Sequence, residues 1–220
     1  MQFSLFGAEA GDLVLADLDG VLLGGGHWVD TTDGARLSVV VADVWRVDAL
    51  VDAFAALDVA GEGPTDSAGP AADPADGFVA RTRITPALRP LEARWRRGAS
   101  IVPPDDLVLS AAGLRLWAVT SGVTDDVGYV LRTPQLPDSA GPAGRLHRIA
   151  GALLARTGIA AVELSNRSQG SRGGGGPGWR VTSARRLRRL AELIGPPPPG
   201  AEGQWPALTT GPPGRTIERH

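Results

Sequence analysis

Two pairs of carboxylates, three histidines and two runs of glycine are the places where this 220-residue sequence offers reactive chemistry. Asp17 and Asp19 stand near the start of an apolar stretch, and Asp125 and Asp126 are adjacent. Such pairs supply the hard oxygen ligands that divalent cations take. The histidines, His27, His147 and His220, are too scattered for any metal-ligand spacing, so His27 reads as a partly buried strand residue. GVLLGGGH and RGGGGPG lack the Lys-Ser/Thr ending and the strand-to-helix setting of a phosphate loop. The chain has no cysteine and no G-x-S-x-G elbow, so covalent hydrolase chemistry has no visible nucleophile.

Composition sets the bounds within which any such site must be built. With 43% hydrophobic residues and a formal charge of -2, the chain can bury a core as one large domain or two small ones. No run of eighteen apolar residues marks a membrane span and no basic-then-apolar leader opens the chain, so the expected location is cytoplasmic. Every basic residue is arginine, which together with abundant Ala, Gly and Pro fits a GC-rich coding bias. Charge is unevenly spread: residues 1 to 76 hold fourteen acids against Arg36 and Arg46, whereas residues 77 to 194 hold eighteen arginines against eight acids. That split hints at a face for a polyanion.

The elements that must position these groups follow a repeated order. Leu13 to Leu23 reads as a helix, Arg36 to Ala42 as a strand, and Val44 to Leu57 as a helix with Val47, Leu50, Val51 and Phe54 on its apolar face. Phe78 to Ile84 alternates as a strand, and Pro86 opens a further helix whose first turn must hold Pro90. The plan then recurs. Leu114 to Ser121 is a helix, Gly128 to Arg132 a strand, and Arg145 to Thr157 a helix closed by Gly158. AAVELS and WRVTS form a hairpin, and Ser183 caps a last helix with an apolar stripe of Leu187, Leu190, Leu193 and Ile194. Gly61 to Gly77 reads as a mobile loop, and the chain from Ile194 onward as an extended, largely disordered tail.

The segment Leu18-Asp19-Gly20-Val21-Leu22-Leu23-Gly24-Gly25-Gly26 resembles the L-x-G-h-h-x-G-D-G signature helix of LAGLIDADG homing endonucleases. A second candidate, Leu114 to Gly122, lies ninety-six residues further on and shares Leu, Ala and the closing Gly. The resemblance implies an α/β (α+β) fold of two pseudo-symmetric helix-strand-strand-helix-strand-strand-helix halves with saddle-shaped antiparallel sheets. It divides the chain into an N-terminal segment 1–12, a first repeat 13–98 containing the 61–77 loop, a second repeat 99–195, and a Pro/Gly-rich tail 196–220.

In that family the two signature helices pack side by side and each ends in a carboxylate for a shared metal site. The resemblance therefore makes Gly20, Gly24, Gly25, Gly26 and Ser121 the helix-interface motif, with glycine permitting close backbone approach. Gly25 and Ser121 stand where the two acids belong, so no metal ligand, catalytic residue or cofactor is expected there. Asp17 and Asp19 lie roughly 9 to 12 Å back along the helix, at 1.5 Å per residue, and are expected in solvent or near the positive end of the helix dipole. Asp125 and Asp126 follow the second motif by four or five residues and could reach inward as displaced ligands, although a lone adjacent pair is commonly a turn or cap.

Arg81 and Arg83 share one face of their strand by its two-residue period. By resemblance, Arg81, Arg83, Arg132, Arg167, Arg172 and Arg180 are the candidates for groove or phosphate contact. Arg185, Arg186, Arg188 and Arg189 on the last helix read first as its solvated side. The expected function is binding of nucleic acid, double-stranded DNA first, by a monomer whose internal repeat stands in for a dimer. An active endonuclease with displaced acids is one alternative, and a domain that binds a protein partner and no DNA is the other; a membrane is not expected as partner.

Overall fold

A computed structural model of the chain describes residues 12–61, 68–70, 77–98, 100–134, 142–164 and 176–206. Its first half runs from a 3-10 turn, Leu15–Leu18, into helix α1, Asp19–Leu23, then strands β1, His27–Thr31, and β2, Gly34–Val41. Helix α2, Val44–Ala56, leads to β3, Ala68–Pro70, and β4, Phe78–Arg81, and a 3-10 turn opens α3, Arg89–Trp95. A two-residue hairpin, β5 (Arg96–Arg97) with β6 (Ser100–Ile101), joins the halves. The second half gives α4, Ala111–Ser121, β7, Gly122–Thr124, β8, Tyr129–Arg132, α5, Pro142–Arg156, β9, Val162–Leu164, β10, Gly178–Val181, and α6, Ala184–Ile194.

The two antiparallel sheets have matching strand orders, β1-β2-β4-β3 and β7-β8-β10-β9. The sheets turn one face to the helices, and β1 alternates most plainly between that face and an open one. In the first sheet Trp28, Leu37, Val39, Val41 and Ala80 point inward; in the second Tyr129, Leu131 and Val181 do. They join Phe54, Trp95, Trp117 and Leu190 in one continuous core. Each fully buried large apolar side chain contributes about 1.5–3 kcal/mol, so packing against the helices settles which face of each sheet turns away.

The caps follow from local chemistry. Ser110 opens α4, its Oγ accepting from Gly113 N at 2.8 Å, and Ser183 opens α6, accepting from Arg186 N at 3.3 Å. Gly158 takes a φ of 81° just past α5, as a closing glycine should.

Two stretches read as irregular are otherwise. Part of the 61–77 loop is the edge strand β3, paired with β4 through Gly69 and Val79. Residues 196–206, read as tail, fold back over the helices: Trp205 is buried, meets Trp45 of α2 edge to face at 6.4 Å, and donates from Nε1 to Gly195 O at 2.9 Å. The segment is held by the Trp205 indole together with Arg115, which donates to Pro196 O at 2.6 Å, and Arg46, which donates to Gln204 Oε1 at 3.2 Å. Residues 207–220 lie outside the described residues.

Candidate nucleic-acid interface

Helices α1 and α4 pack in direct backbone contact. A side chain at Gly20 would collide with the carbonyl of Gly113, and one at Gly24 would stand 2.6 Å from Thr120 Cγ2 and 3.1 Å from Ser121 Oγ. Ser110 also donates its hydroxyl to buried Asp17, which accepts from Val14 N at 2.8 Å, so the start of the first helix is tied to the cap of the second. The three consecutive glycines divide their work. Gly24 permits the contact; Gly25, at φ 115°, is the left-handed residue of a Schellman closure; Gly26 N then donates to Val21 O at 2.9 Å, with Gly25 N to Leu22 O at 3.3 Å.

Neither helix end presents a charged oxygen. Gly25 has no side chain, and Ser121 Oγ donates to Arg132 O at 2.9 Å. Among the described residues no three His, Asp or Glu side chains cluster as a metal would need. The donors present do not fit the divalent site that the resemblance implies.

Asp125, the displaced-ligand candidate, is occupied. Its Oδ1 accepts from Val127 N at 3.0 Å and Gly128 N at 2.8 Å, and its Oδ2 meets Arg180 Nη2 at 2.6 Å. Burial would raise its carboxyl, but those two backbone donors and the Arg180 guanidinium outweigh it and hold the group below its ordinary value. Asp126 is exposed in the same turn.

Asp17 and Asp19 stand in the first turns of their helical segments, the second of the two placements expected from sequence, and are buried there, 6% and 2% exposed. Asp19 accepts from Trp95 Nε1 at 2.6 Å and lies 3.6 Å from the Arg94 guanidinium. Burial pushes its carboxyl up to about 6, against the pull of Trp95 and Arg94. His27 opens β1 as expected, open to solvent over much of its surface while burial of the rest lowers its imidazole from the ordinary value.

The open faces of the sheets hold the arginines. Arg81 pairs in register with Ser38, whose other neighbour is His27, and Arg36 lies two residues along the same strand face. Arg36 was missed as a candidate, although its alternation with buried Leu37 was the available signal. On the second sheet Arg132 and Arg180 share the open face across β8 and β10 with Val130 between them. Their freedom differs from expectation, since Arg180 is committed to Asp125 with its side chain only 20% exposed, and burial lowers the Arg132 guanidinium from its ordinary value. Arg83 lies beyond the end of β4 and meets exposed Asp58 at 3.4 Å. Arg167 and Arg172 fall outside the described residues.

A second arginine that the sequence did not reveal organises the helix layer. Arg46, 2% exposed on α2, donates to Val119 O at 2.7 Å, Gly122 O at 2.6 Å and Ala118 O at 3.4 Å, and pairs with Asp43 at 2.9 Å. It caps the carbonyl end of α4, where a cation complements the helix dipole. Other arginines absorb the acidic first half. Arg89 meets Asp30 at 2.9 Å, Arg96 meets Glu92 at 3.0 Å and Asp30 at 3.5 Å, and Arg94 lies 3.6 Å from both Asp19 and Asp106. Part of the charge split is thus met within the chain, where Asp19, Asp30 and Asp58 pair with arginines of the basic segment.

No family model matches the sequence, and no curated protein matches it in sequence. Among solved structures, the homing endonuclease I-WcaI bound to its DNA recognition sequence is similar over 81% of this chain and 79% of its own, with a TM-score of 0.58 and 13% identity. No helix among the described residues is long and apolar enough to cross a membrane. The likeness in sheets, helices and their order shows that the chain has the homing endonuclease fold.

Proposed function

We propose that the chain is a LAGLIDADG-like protein, built as repeats 13–98 and 99–195, that binds double-stranded DNA along the open faces of its two sheets and leaves the phosphodiester bonds intact. DNA as the partner is supported by the fold shared with a protein whose structure was solved on its DNA recognition sequence, and by Arg36, Arg81, Arg132 and Arg180 on the central strands. Guanidinium groups suit both phosphate oxygens and guanine edges. The observation that carries the non-cleaving part is the pair of helix ends. Gly25 is needed for a left-handed turn, Ser121 is spent on the Arg132 carbonyl, and the fixed Arg46 guanidinium holds the last carbonyls of α4. With Arg46 already paired to Asp43 and no carboxylate on either helix end, a hard cation has little to bind there.

The test has two arms. Affinity for a mixed-sequence duplex should fall steeply with salt, and Arg81→Ala with Arg132→Ala should each lower the logarithmic slope by about 0.9 if each residue meets one phosphate. Incubation of a broad DNA library with magnesium or manganese should yield no cuts. Absence of duplex binding at low salt favours the reading as a protein-interaction domain. Metal-dependent cuts that vanish in Asp125→Ala or Asp126→Ala restore the displaced-site endonuclease.

A further inference from the structure

Helix α6 turns its apolar stripe, with Leu190, Ala191 and Ile194 buried, onto α4. Its other side exposes Arg185, Arg186, Arg188 and Arg189, and among the described residues the only acid met there is Glu192, 4.0 Å from Arg189. The matching helix of the first half, α3, behaves differently: Arg89, Arg94 and its neighbour Arg96 are each paired with acids of this chain. The arginines of α3 are used internally, whereas those of α6 face outward. Stability does not account for them. Arg185 and Arg186 stand in the first turn, which contains no acid, and there the helix dipole disfavours cations.

We propose that this face of α6 is a second phosphate-binding surface, which holds another segment of double-stranded DNA while the sheets hold the first. Arg185 and Arg189 are separated by a rise of about 6 Å, and one DNA strand places a phosphate every 3.4 Å or so of axis, so the row spans about two phosphates. Guanidinium groups match phosphate oxygens in bidentate pairs. Helix α6 packs in the helix layer on α4, whereas the sheets turn their buried faces to that layer, so the proposal places the two duplexes on different surfaces. A single molecule therefore bridges two.

The proposal rests on DNA binding by the sheets, and the experiment separates the two. An immobilised short duplex is incubated with protein at 50 mM salt and then with a fluorescent second duplex. The wild type should retain both. The quadruple Arg185, Arg186, Arg188, Arg189→Gln variant, with unchanged circular dichroism, should be retained by the first duplex as before yet lose about tenfold or more of the captured fluorescence, and the four Arg→Lys replacements should recover part of it. Wild-type protein that binds one duplex and captures no second overturns this inference and leaves the sheet reading intact. Equal capture by the Gln variant, capture that rises as the square of protein concentration, or displacement by polyglutamate more readily than by DNA of equal charge overturns it too. Binding of no duplex by any variant overturns both.

Discussion

Asp19 is a carboxylate held where its charge is costly, and pH should reveal it. The folded chain binds its proton more tightly than an unfolded chain whose carboxyl titrates near 3.8, so this stabilisation is complete below about 3.8 and is lost as pH rises through about 6. At 1.36 kcal/mol per unit, stability to urea should fall by up to about 3 kcal/mol from pH 4 to pH 7.5 through this group alone. Asp19→Asn keeps an oxygen for Trp95 Nε1 and should flatten that dependence. Asp125, held low, acts in the opposite sense and in a lower window: its contribution is present above its unfolded value and is lost only as pH falls below it. Asp125→Ala should cost about 1–3 kcal/mol at pH 7, because it strips the partner from two backbone N–H groups and from a mostly buried guanidinium. The turn role of Asp125 is local and was legible in the sequence, whereas the roles of Asp17, Asp19 and Arg46 were not. The partners of Asp17, Asp19 and Arg46 lie 93, 76 and 73 residues away, and no local pattern carries that distance.

At the level of the helices and strands, far more could be read beforehand, because caps, turns and alternation are local. Ser183, Gly158 and the close approach at Gly20 follow from residue type, whereas β3 was hidden because Ala68-Gly69-Pro70 has turn composition and pairs only at a sheet edge. The glycines of α1 and its surroundings should separate by mechanism. Gly20→Ala drives a methyl into the Gly113 carbonyl and should cost about 3 kcal/mol or more in chemical denaturation. Gly25→Asp meets no neighbour closer than 3.9 Å at its Cβ, so its penalty should be the backbone strain alone, on the order of 1–3 kcal/mol. Gly69→Ala, with open space around it, should change stability by less than about 0.5 kcal/mol.

For the whole molecule, the charge split first suggests a polyanion face, yet the ion pairs of Arg89, Arg94 and Arg96 show that the acidic half draws on its own neighbours. What remains outward is narrower and more specific than net charge implies. The segment 196–206 has a similar lesson for integrity: ending the chain after Gly195 removes Trp205 from Trp45 and Gln204 from Arg46, and should lower the thermal midpoint markedly while leaving helix content nearly unchanged by circular dichroism. Arg46 reaches Gln204 across 158 residues of chain. During synthesis at about 5–20 residues per second, that guanidinium waits roughly 8 to 30 seconds for its last partner. Until then the guanidinium that holds the last carbonyls of α4 lacks its Gln204 partner, and the nascent protein must keep Trp45 from other company while it waits.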